Sequence, residues 1–505
     1  MIETEIKFAI TADEAARLLA SRAISRLEPE SKHVTSTYYD TRQHQFRRMG
    51  AALRVRQKGD TFEQTIKVPA DGPIGMQNFE EFTVPLHDAT PRLELFDDAI
   101  IRRISNRRRR LILLPQFTTD VTRTTAVLTH RKARFEMAVD VGEIRNHGAT
   151  ARSEPITEVE FEMIKGSPVA MLDRVAALAE RFDMSLCYAT KAQRGYALAR
   201  PSLRPKPTKA GKVSLPPDLT VGEAFQHIVG EALSQLYANR APTLAGEPGG
   251  IHQSRVSIRR IRAALRAFKR VLPYDKRKAF NGEFRWFQQR MGPARDWHVF
   301  IDETVPSLRQ AHVDVDHAAL TRVAKAERKR ATDEAIEVLD SRRYTRLMLQ
   351  FQRWMLTLEK DGSDEMKGSL HDFARAVFRK TRRDLLVDTR PLFRFSADDL
   401  HAVRKKGKKA RYATEFFAHL WAGENVKPYL DIMEDLQDRL GEANDATVAR
   451  HLMATVPLDS LAPETIMEVG KWSDKRIKTC IKSAQPLWRK LQRAKPFWES
   501  ATPSP

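Results

Sequence analysis

Cysteine is almost missing from this 505-residue chain, which has only Cys187 and Cys480. The two are far apart and have no Cys or His neighbours at metal-ligand spacing. That excludes a disulfide framework, argues against a zinc site and fits a reducing compartment. Long apolar runs are missing too, and none approaches the roughly 20 residues of a membrane span. The opening residues Met1-Ile2-Glu3-Thr4-Glu5 place acids where a signal peptide carries bases and then an apolar run. These absences predict a soluble, cytoplasmic protein without a membrane partner.

Charge is abundant. Hydrophobic residues make up 42% of the chain, enough for real cores, and charged residues 30%. The net charge is +21, and the pI near 9.9 makes a polyanion the first partner to consider. Residues 1–200 hold 31 Lys and Arg against 27 Asp and Glu, and the remainder holds 55 against 38, so the net charges are +4 and +17. A balanced first part suits a site for metals and phosphates together. The uncompensated second part suits polyanion binding.

The division between these parts lies at residues 201–217, where Pro201, Pro205, Pro207, Gly211, Pro216 and Pro217 predict an extended linker. Before it, period-two alternation predicts antiparallel strands at Ile2–Phe8, Ala52–Gln57, Thr61–Val68, Arg134–Val141 and Glu158–Glu162. Lys58-Gly59-Asp60 and Ala70-Asp71-Gly72-Pro73 supply turns between strands. Ala12–Ser21 and Pro168–Phe182 read as helices. Beyond the linker, Ala224–Asn239, His252–Val271, Ala318–Leu339 and Asp399–Leu420 carry apolar residues at three-and-four spacing, the mark of amphipathic helices.

The second part also repeats itself. His252-x-x-Arg255-x-x-x-Arg259-Arg260-x-Arg262 matches His401-x-x-Arg404-x-x-x-Lys408-Lys409-x-Arg411, and Gly292-x-x-Arg295-Asp296 matches Gly441-x-x-Asn444-Asp445. Both matches have the offset 149, which predicts two pseudo-symmetric helical bundles over about 218–365 and 366–505. The expected fold is multidomain α+β: residues 1–200, the linker 201–217, and an all-α domain over 218–505.

Glu3, Glu5 and Lys7 would share one face of a strand. Alone, they read best as a solvated edge. Arg54, Arg56, Lys67, Glu136, Asp140, Glu158, Glu160 and Glu162 alternate in the same way on strands whose other faces are apolar (Ile6, Phe8, Leu53, Val55, Val159, Phe161). If the apolar faces pack outward, a closed barrel would have a lumen lined by both signs. Lys and Arg bind phosphoryl oxygens, and carboxylate clusters hold Mg²⁺ or Mn²⁺.

At this point residues 1–200 resemble the CYTH family, the triphosphate tunnel metalloenzymes. The match rests on Glu3-Thr4-Glu5-Ile6-Lys7, Tyr38-Tyr39-Asp40-Thr41, Leu53-Arg54-Val55-Arg56, Thr65-Ile66-Lys67, Glu81, Arg123, Phe135–Gly142, Glu158-Val159-Glu160 and Lys191–Tyr196, in that order. The resemblance implies an eight-stranded antiparallel β-tunnel with flanking helices that acts on triphosphates with Mg²⁺ or Mn²⁺. Lys7, Arg54, Arg56, Lys67, Arg123 and Lys191 would hold the triphosphate. Glu3, Glu5, Glu158 and Glu160 would hold metal, assisted by Asp140 and Glu81. Relatives often carry an Arg before the acid matched to Glu81; here Asn78, Phe79 and Glu80 stand there, and the match falls on Glu80 equally well.

In the second part His252, Arg255, Arg259, Arg262 and Arg266 share one helix face, as do His401, Arg404, Lys408 and Arg411. Like charges at i,i+4 oppose the helix by a few tenths of a kcal/mol, roughly, per pair, and no acid lies between His252 and Leu272. A polyanion site explains this better than a solvated face. Aromatics are not interleaved with it, which disfavours nucleic acid. From Leu219 onward the chain resembles the CHAD family through His252, Arg255, Arg259, Arg260 and Arg262 in one repeat. In the other the match comprises His401, Arg404, Lys405, Lys408, Lys409, Arg411 and Tyr412. That resemblance implies inorganic polyphosphate binding and admits association with polyphosphate granules. Arg107–Arg110 reads as an exposed basic loop. Arg295-Asp296 and Asn444-Asp445 read as helix caps or salt-bridge partners, and Trp286, Phe287 and Trp297 as core.

The sequence therefore predicts an inorganic triphosphatase with polyphosphate as second partner. Thiamine triphosphate hydrolysis, ATP cyclisation and a non-enzymatic polyphosphate-binding protein are the alternatives.

Overall fold

The structure, a computed structural model, describes residues 2–104, 111–148, 150–200, 202, 204–216, 218–361, 363–421 and 426–500. The run Arg107–Arg110 lies outside the described residues. The chain divides into two compact units, one of residues 1–206 and 339–357, the other of residues 207–338 and 358–505.

The first unit is built on β1 (Ile2–Ile10), β2 (Glu30–Thr41), β3 (Ala52–Lys58), β4 (Thr61–Pro69), β5 (Gln77–Leu86), β6 (Leu113–His130), β7 (Ala133–Asn146), β8 (Ser153–Lys165) and β9 (Met184–Leu186). The sheet order is β5-β4-β3-β2-β6-β7-β8-β1-β9, and an added β1–β5 pairing closes eight strands into an antiparallel barrel. Closure leaves those strands no free edge. Between β3 and β4 the chain turns in two residues, with Gly59 supplying the positive φ of 61°.

Apolar residues of the strands face outward under helices α1 (Ala12–Ala20), α2 (Pro168–Ala179) and α3 (Lys191–Ala199). Phe8, Phe117, Phe135 and Phe161 are fully buried there; each such side chain contributes about 1.5–3 kcal/mol. Tyr38 stacks on Phe117 at 4.5 Å, and Tyr196 of α3 meets Phe117 edge-on. A Cβ on Gly195 would lie 2.2 Å from the Phe117 ring, so α3 approaches this closely only because that residue is glycine. The buried Asp40 accepts the backbone N–H groups of Thr41, Phe46 and Arg47 and the Tyr196 hydroxyl, which ties α3 to β2.

Beyond residue 206 the chain is helical: α4 (Val221–Ala238), α5 (Pro248–Ala267), α6 (Tyr274–Arg290), α7 (Gly292–Val299), α8 (His317–Asp340), α9 (Arg342–Asp361), α10 (Leu370–Leu385), α11 (Ala397–Phe417), α12 (Val426–Met453) and α13 (Pro463–Arg493), of which residues 339–357, the end of α8 and most of α9, belong to the first unit. The repeated basic motifs lie on α5 and α11. These helices meet through Arg259 Nε donating to the Tyr412 hydroxyl at 3.2 Å and an Arg260–Glu415 ion pair at 2.8 Å. The second repeated motif differs between halves. Pro293 follows Gly292 and separates α6 from α7, because proline cannot donate to the preceding turn. Gly441 is followed by Glu442, and α12 runs through unbroken. Arg295-Asp296 and Asn444-Asp445 are therefore helix-interior pairs and not caps, although Arg295 does reach Glu303 at 3.6 Å. Phe287 and Trp297 are buried as expected, whereas Trp286 is partly exposed.

The described part of the Pro-rich segment is extended but anchored. Thr208 exchanges hydrogen bonds with the Asn239 side chain, Val213 and Leu215 are buried, and the Leu215 N–H lies 2.9 Å from His419 Nε2.

Candidate active site

Strand register assembles the charges. Lys67 lies opposite Glu81, Lys7 opposite Glu160, Asp140 opposite Glu158 and Arg123 opposite Asp140. Period-two alternation then turns all of them, with Glu3, Glu5, Arg54, Arg56, Glu136 and Glu162, to one side of the wall. Most of these residues, Lys191 of α3 included, line one cavity of about 340 Å³; Asp140 and Glu158 lie deeper, at 0% and 1% exposure.

Two clusters form. In the first, Arg123 grips Asp140 through two parallel hydrogen bonds of 2.7 Å and reaches Glu160 at 2.7 Å. Lys191 Nζ sits 2.7 Å from Asp140, 2.5 Å from Glu158 and 2.8 Å from Glu160, with Lys7 3.7 Å from Glu158. In the second, Lys67 holds both Glu3 oxygens at 2.7 and 2.6 Å and Glu81 at 3.2 Å, and Arg54 holds Glu81 at 3.2 Å. Arg56 donates to the Ser36 hydroxyl at 3.2 Å. Glu80 instead pairs with Arg103, so Glu81 is the acid that faces the lumen.

Burial opposes the charged forms of Lys191, Glu160, Arg56, Glu3 and Glu81, and their neighbours decide the outcome. Burial disfavours the Lys191 ammonium, yet Asp140, Glu158 and Glu160 raise its pKa well above the usual value. Burial opposes the Glu160 carboxylate, but Lys191, Arg123 and Lys7 hold its pKa well below the carboxylate range. Arg56 has less compensation: burial first, then Arg54 and Arg123, bring it down to about 10. Glu3 and Glu81 interact as a carboxyl pair. Burial and the Glu81 hydrogen bond push Glu3 up, while Glu3, Lys67 and Arg54 outweigh burial and hold Glu81 down.

Asp140, Glu158 and Glu160 offer the oxygen donors a hard cation takes, and a metal there would displace the Lys191 ammonium that lies 2.5–2.8 Å from all three. Carboxylate oxygens of Asp140, Glu158 and Glu160 lie within 4.8 Å of one another, and oxygen ligands suit Mg²⁺ or Mn²⁺. Three of the six expected metal residues thus converge. Glu3 and Glu81 meet in the second cluster, and Glu5 lies opposite Glu162 across β1–β8. Arg194 was missed: it reaches Glu154 at 2.6 Å and Glu158 at 3.4 Å. The signal was its i,i+3 spacing from Lys191, which puts both on one face of α3.

In the helical unit, His252, Arg255, Arg259 and Arg262 are half-buried on α5, as are Arg404 and Lys408 on α11, while His401, Lys405, Lys409 and Arg411 are exposed. Arg260 departs from the expectation. It is buried against Glu415, because its position on α5 faces the helix neighbour, and its charge is neutralised there. Arg255 donates to the Gln288 carbonyl at 3.0 Å, and Arg262 to the Gln288 side chain at 2.7 Å. Burial, then Arg295, Arg259 and Arg255, lowers His252 to about 4, so it is neutral at pH 7. Burial, then Arg404 and Arg259, brings Lys408 down to about 7.

A closed antiparallel tunnel with a lumen of paired cations and carboxylates, followed by a repeated helical domain, defines the class. Residues 1–196 match the model of the CYTH domain, and residues 227–454 that of the CHAD domain. Along the chain, then, a match to the CYTH domain is followed by a match to the CHAD domain. An inorganic triphosphatase of Haemophilus influenzae is 30% identical over 201 residues, 39% of this chain and 54% of that protein, so the chain spans about half the length of this relative. An uncharacterized protein of Mycobacterium tuberculosis is 25% identical over 94% of this chain and 92% of its own length. The crystal structure of the CHAD domain from the plant Ricinus communis is 27% identical, with a TM-score of 0.49 over 59% of this chain and 99% of that one.

Proposed function

We propose that the tunnel hydrolyses inorganic triphosphate with Mg²⁺ or Mn²⁺, and that the basic face of the helical domain binds inorganic polyphosphate. The observation that carries the first part is the cluster of Arg123 and Lys191 with Asp140, Glu158 and Glu160. The cations at phosphate-binding positions are paired with carboxylates before substrate arrives, so that binding exchanges these partners for phosphoryl oxygens and metal. Lys7, Arg54, Arg56, Lys67, Arg123 and Lys191 bind the phosphoryl oxygens. Asp140, Glu158 and Glu160 hold the metal, with Glu3, Glu5 and Glu81 on the neighbouring wall. When bound, the metal neutralises phosphate charge and lowers the pKa of a coordinated water. Arg255, Arg259, Arg262, Arg404, Lys405, Lys408, Lys409 and Arg411, flanked by His252 and His401, form the polyphosphate face, from which Arg260 is excluded. The similarity to the Haemophilus influenzae inorganic triphosphatase supports the choice of substrate class.

Steady-state rates of the full chain on tripolyphosphate, thiamine triphosphate and ATP, each with Mg²⁺ and with Mn²⁺, test this reading. Tripolyphosphate is expected to give the highest kcat/KM. Dominant formation of a cyclic nucleotide from ATP would replace the hydrolase with a cyclase. Polyphosphate binding without turnover of any of the three would leave a non-catalytic binding protein.

A further inference from the structure

Strand β1 carries Glu3, Glu5 and Lys7, and one of its edges changes partner midway. Ile2–Glu5 pair with Glu80–Gln77 of β5, whereas Phe8–Ile10 pair with Leu186–Met184 of β9. Between these ladders the Cys187 N–H donates to the Lys7 carbonyl at 2.8 Å. The chain then passes through Tyr188 to Lys191. Gln77 bridges the handover, its side-chain amide donating to the Tyr188 carbonyl at 2.6 Å.

Residues far along the sequence brace this point. The stretch 339–357 belongs to the first unit although it falls inside the CHAD match. Its members contact β9, Tyr188, the turn before β5 and α2. The Ser185 hydroxyl donates to the Asp340 carbonyl at 3.0 Å, and the Thr345 hydroxyl to the Met184 carbonyl at 3.3 Å. Arg353 pairs with Asp173 of α2. Gln352 is wholly buried and donates to the Tyr188 hydroxyl at 3.4 Å. Its side chain also lies against Gly75 in the turn that leads into β5. Gly75 has φ of 84°, and a Cβ there would come within 2.4 Å of Gln352 Cγ. One glutamine thus touches both the segment that delivers Lys191 and the turn that delivers β5 with Glu81.

We infer that Gln352 is a positioning residue for the tunnel, and that residues 339–357 set the placement of Lys191 from within the region matched by the CHAD model. The inference rests on the triphosphate reading of the tunnel. Its contacts to Tyr188 and Gly75 are the route by which Gln352 acts on the tunnel. Small misplacements of a binding group weaken binding steeply.

Gln352→Ala, Tyr188→Phe and the double variant, made in the full chain, test it by titration calorimetry with tripolyphosphate in the absence of divalent metal and by thermal denaturation. Each single variant is expected to raise Kd about fivefold, with the double no worse than the Gln352→Ala single, because both act through one contact. Gln352→Met, which fills the volume without donating, should match Tyr188→Phe and supplies the comparison if Gln352→Ala does not fold. A fall in Tm with Kd unchanged would reduce Gln352 to a packing residue and overturn the inference, as would two singles that add. Wild-type protein that binds no tripolyphosphate, either without divalent metal or with Mg²⁺ or Mn²⁺ added, would instead overturn the proposed function, and the inference with it.

Discussion

Lys191 Nζ lies 2.5 Å from Glu158 Oε1, and both side chains are almost fully buried. Removing the ammonium leaves Glu158, Asp140 and Glu160 facing one another. Lys191→Ala is expected to destabilise the tunnel by about 3–5 kcal/mol, the usual cost of stranding a buried charge, and to reduce kcat/KM on tripolyphosphate at least about 100-fold. Urea titration and steady-state kinetics on one preparation read both effects.

The two units should separate under mutation. Charge reversal at Arg255 and Arg259 removes cations from the α5 face, which belongs to the second unit. Polyphosphate affinity is expected to fall and its salt dependence to flatten, since fewer screened charges remain. Tripolyphosphate turnover should stay within about twofold. Loss of turnover in this variant would refute the division of labour.

Lys408 is expected to make the proposed polyphosphate binding pH-dependent. Burial, then Arg404 and Arg259, lowers its pKa to about 7, so the free protein loses this charge as pH rises through that value. A bound polyanion favours the charged form, and binding above pH 7 then requires proton uptake. Affinity is expected to fall with rising pH, by at most about tenfold per pH unit for one proton. Calorimetry in buffers of different ionisation enthalpy counts the proton, and Lys408→Met should abolish the dependence.

Acid should open the tunnel. Asp140 and Glu160 have depressed pKa values, because Lys191 and Arg123 outweigh the cost of burial. A depressed carboxyl contributes stability that is fully present above its unfolded value near 4 and is lost as pH falls through the folded value. Urea midpoints measured from pH 7 down to pH 3 should therefore decline mainly below about pH 4–5. A flat profile would mean that these ion pairs contribute nothing net.

Much of this was readable along the chain. Alternation at Ile2–Phe8 and Glu158–Glu162 marks strands with one charged face, since neighbouring side chains on a strand point opposite ways. The common offset of 149 between the His252 and His401 motifs marks a duplicated helical unit. Where the sequence left two options, at Glu80 and Glu81, cross-strand register decided: Glu81 lies opposite Lys67, whereas Glu80 meets Arg103. Arg260 and Arg259 are adjacent cations with nothing in composition to separate them, and only the packing of α5 against α11 buries one and leaves the other half-exposed.

Residue types and spacing thus determined the strands, the amphipathic helices, the repeat and the set of charges a phosphate-and-metal site needs, because those features depend on local geometry of period two or 3.6. Tertiary structure alone decided which carboxylate meets which cation and that β1 shares one edge between β5 and β9. It alone placed residues 339–357 with the tunnel, more than a hundred residues beyond its last strand. Such pairings depend on barrel closure and long-range packing, and no local pattern encodes the distance between residues that meet only once the chain has folded.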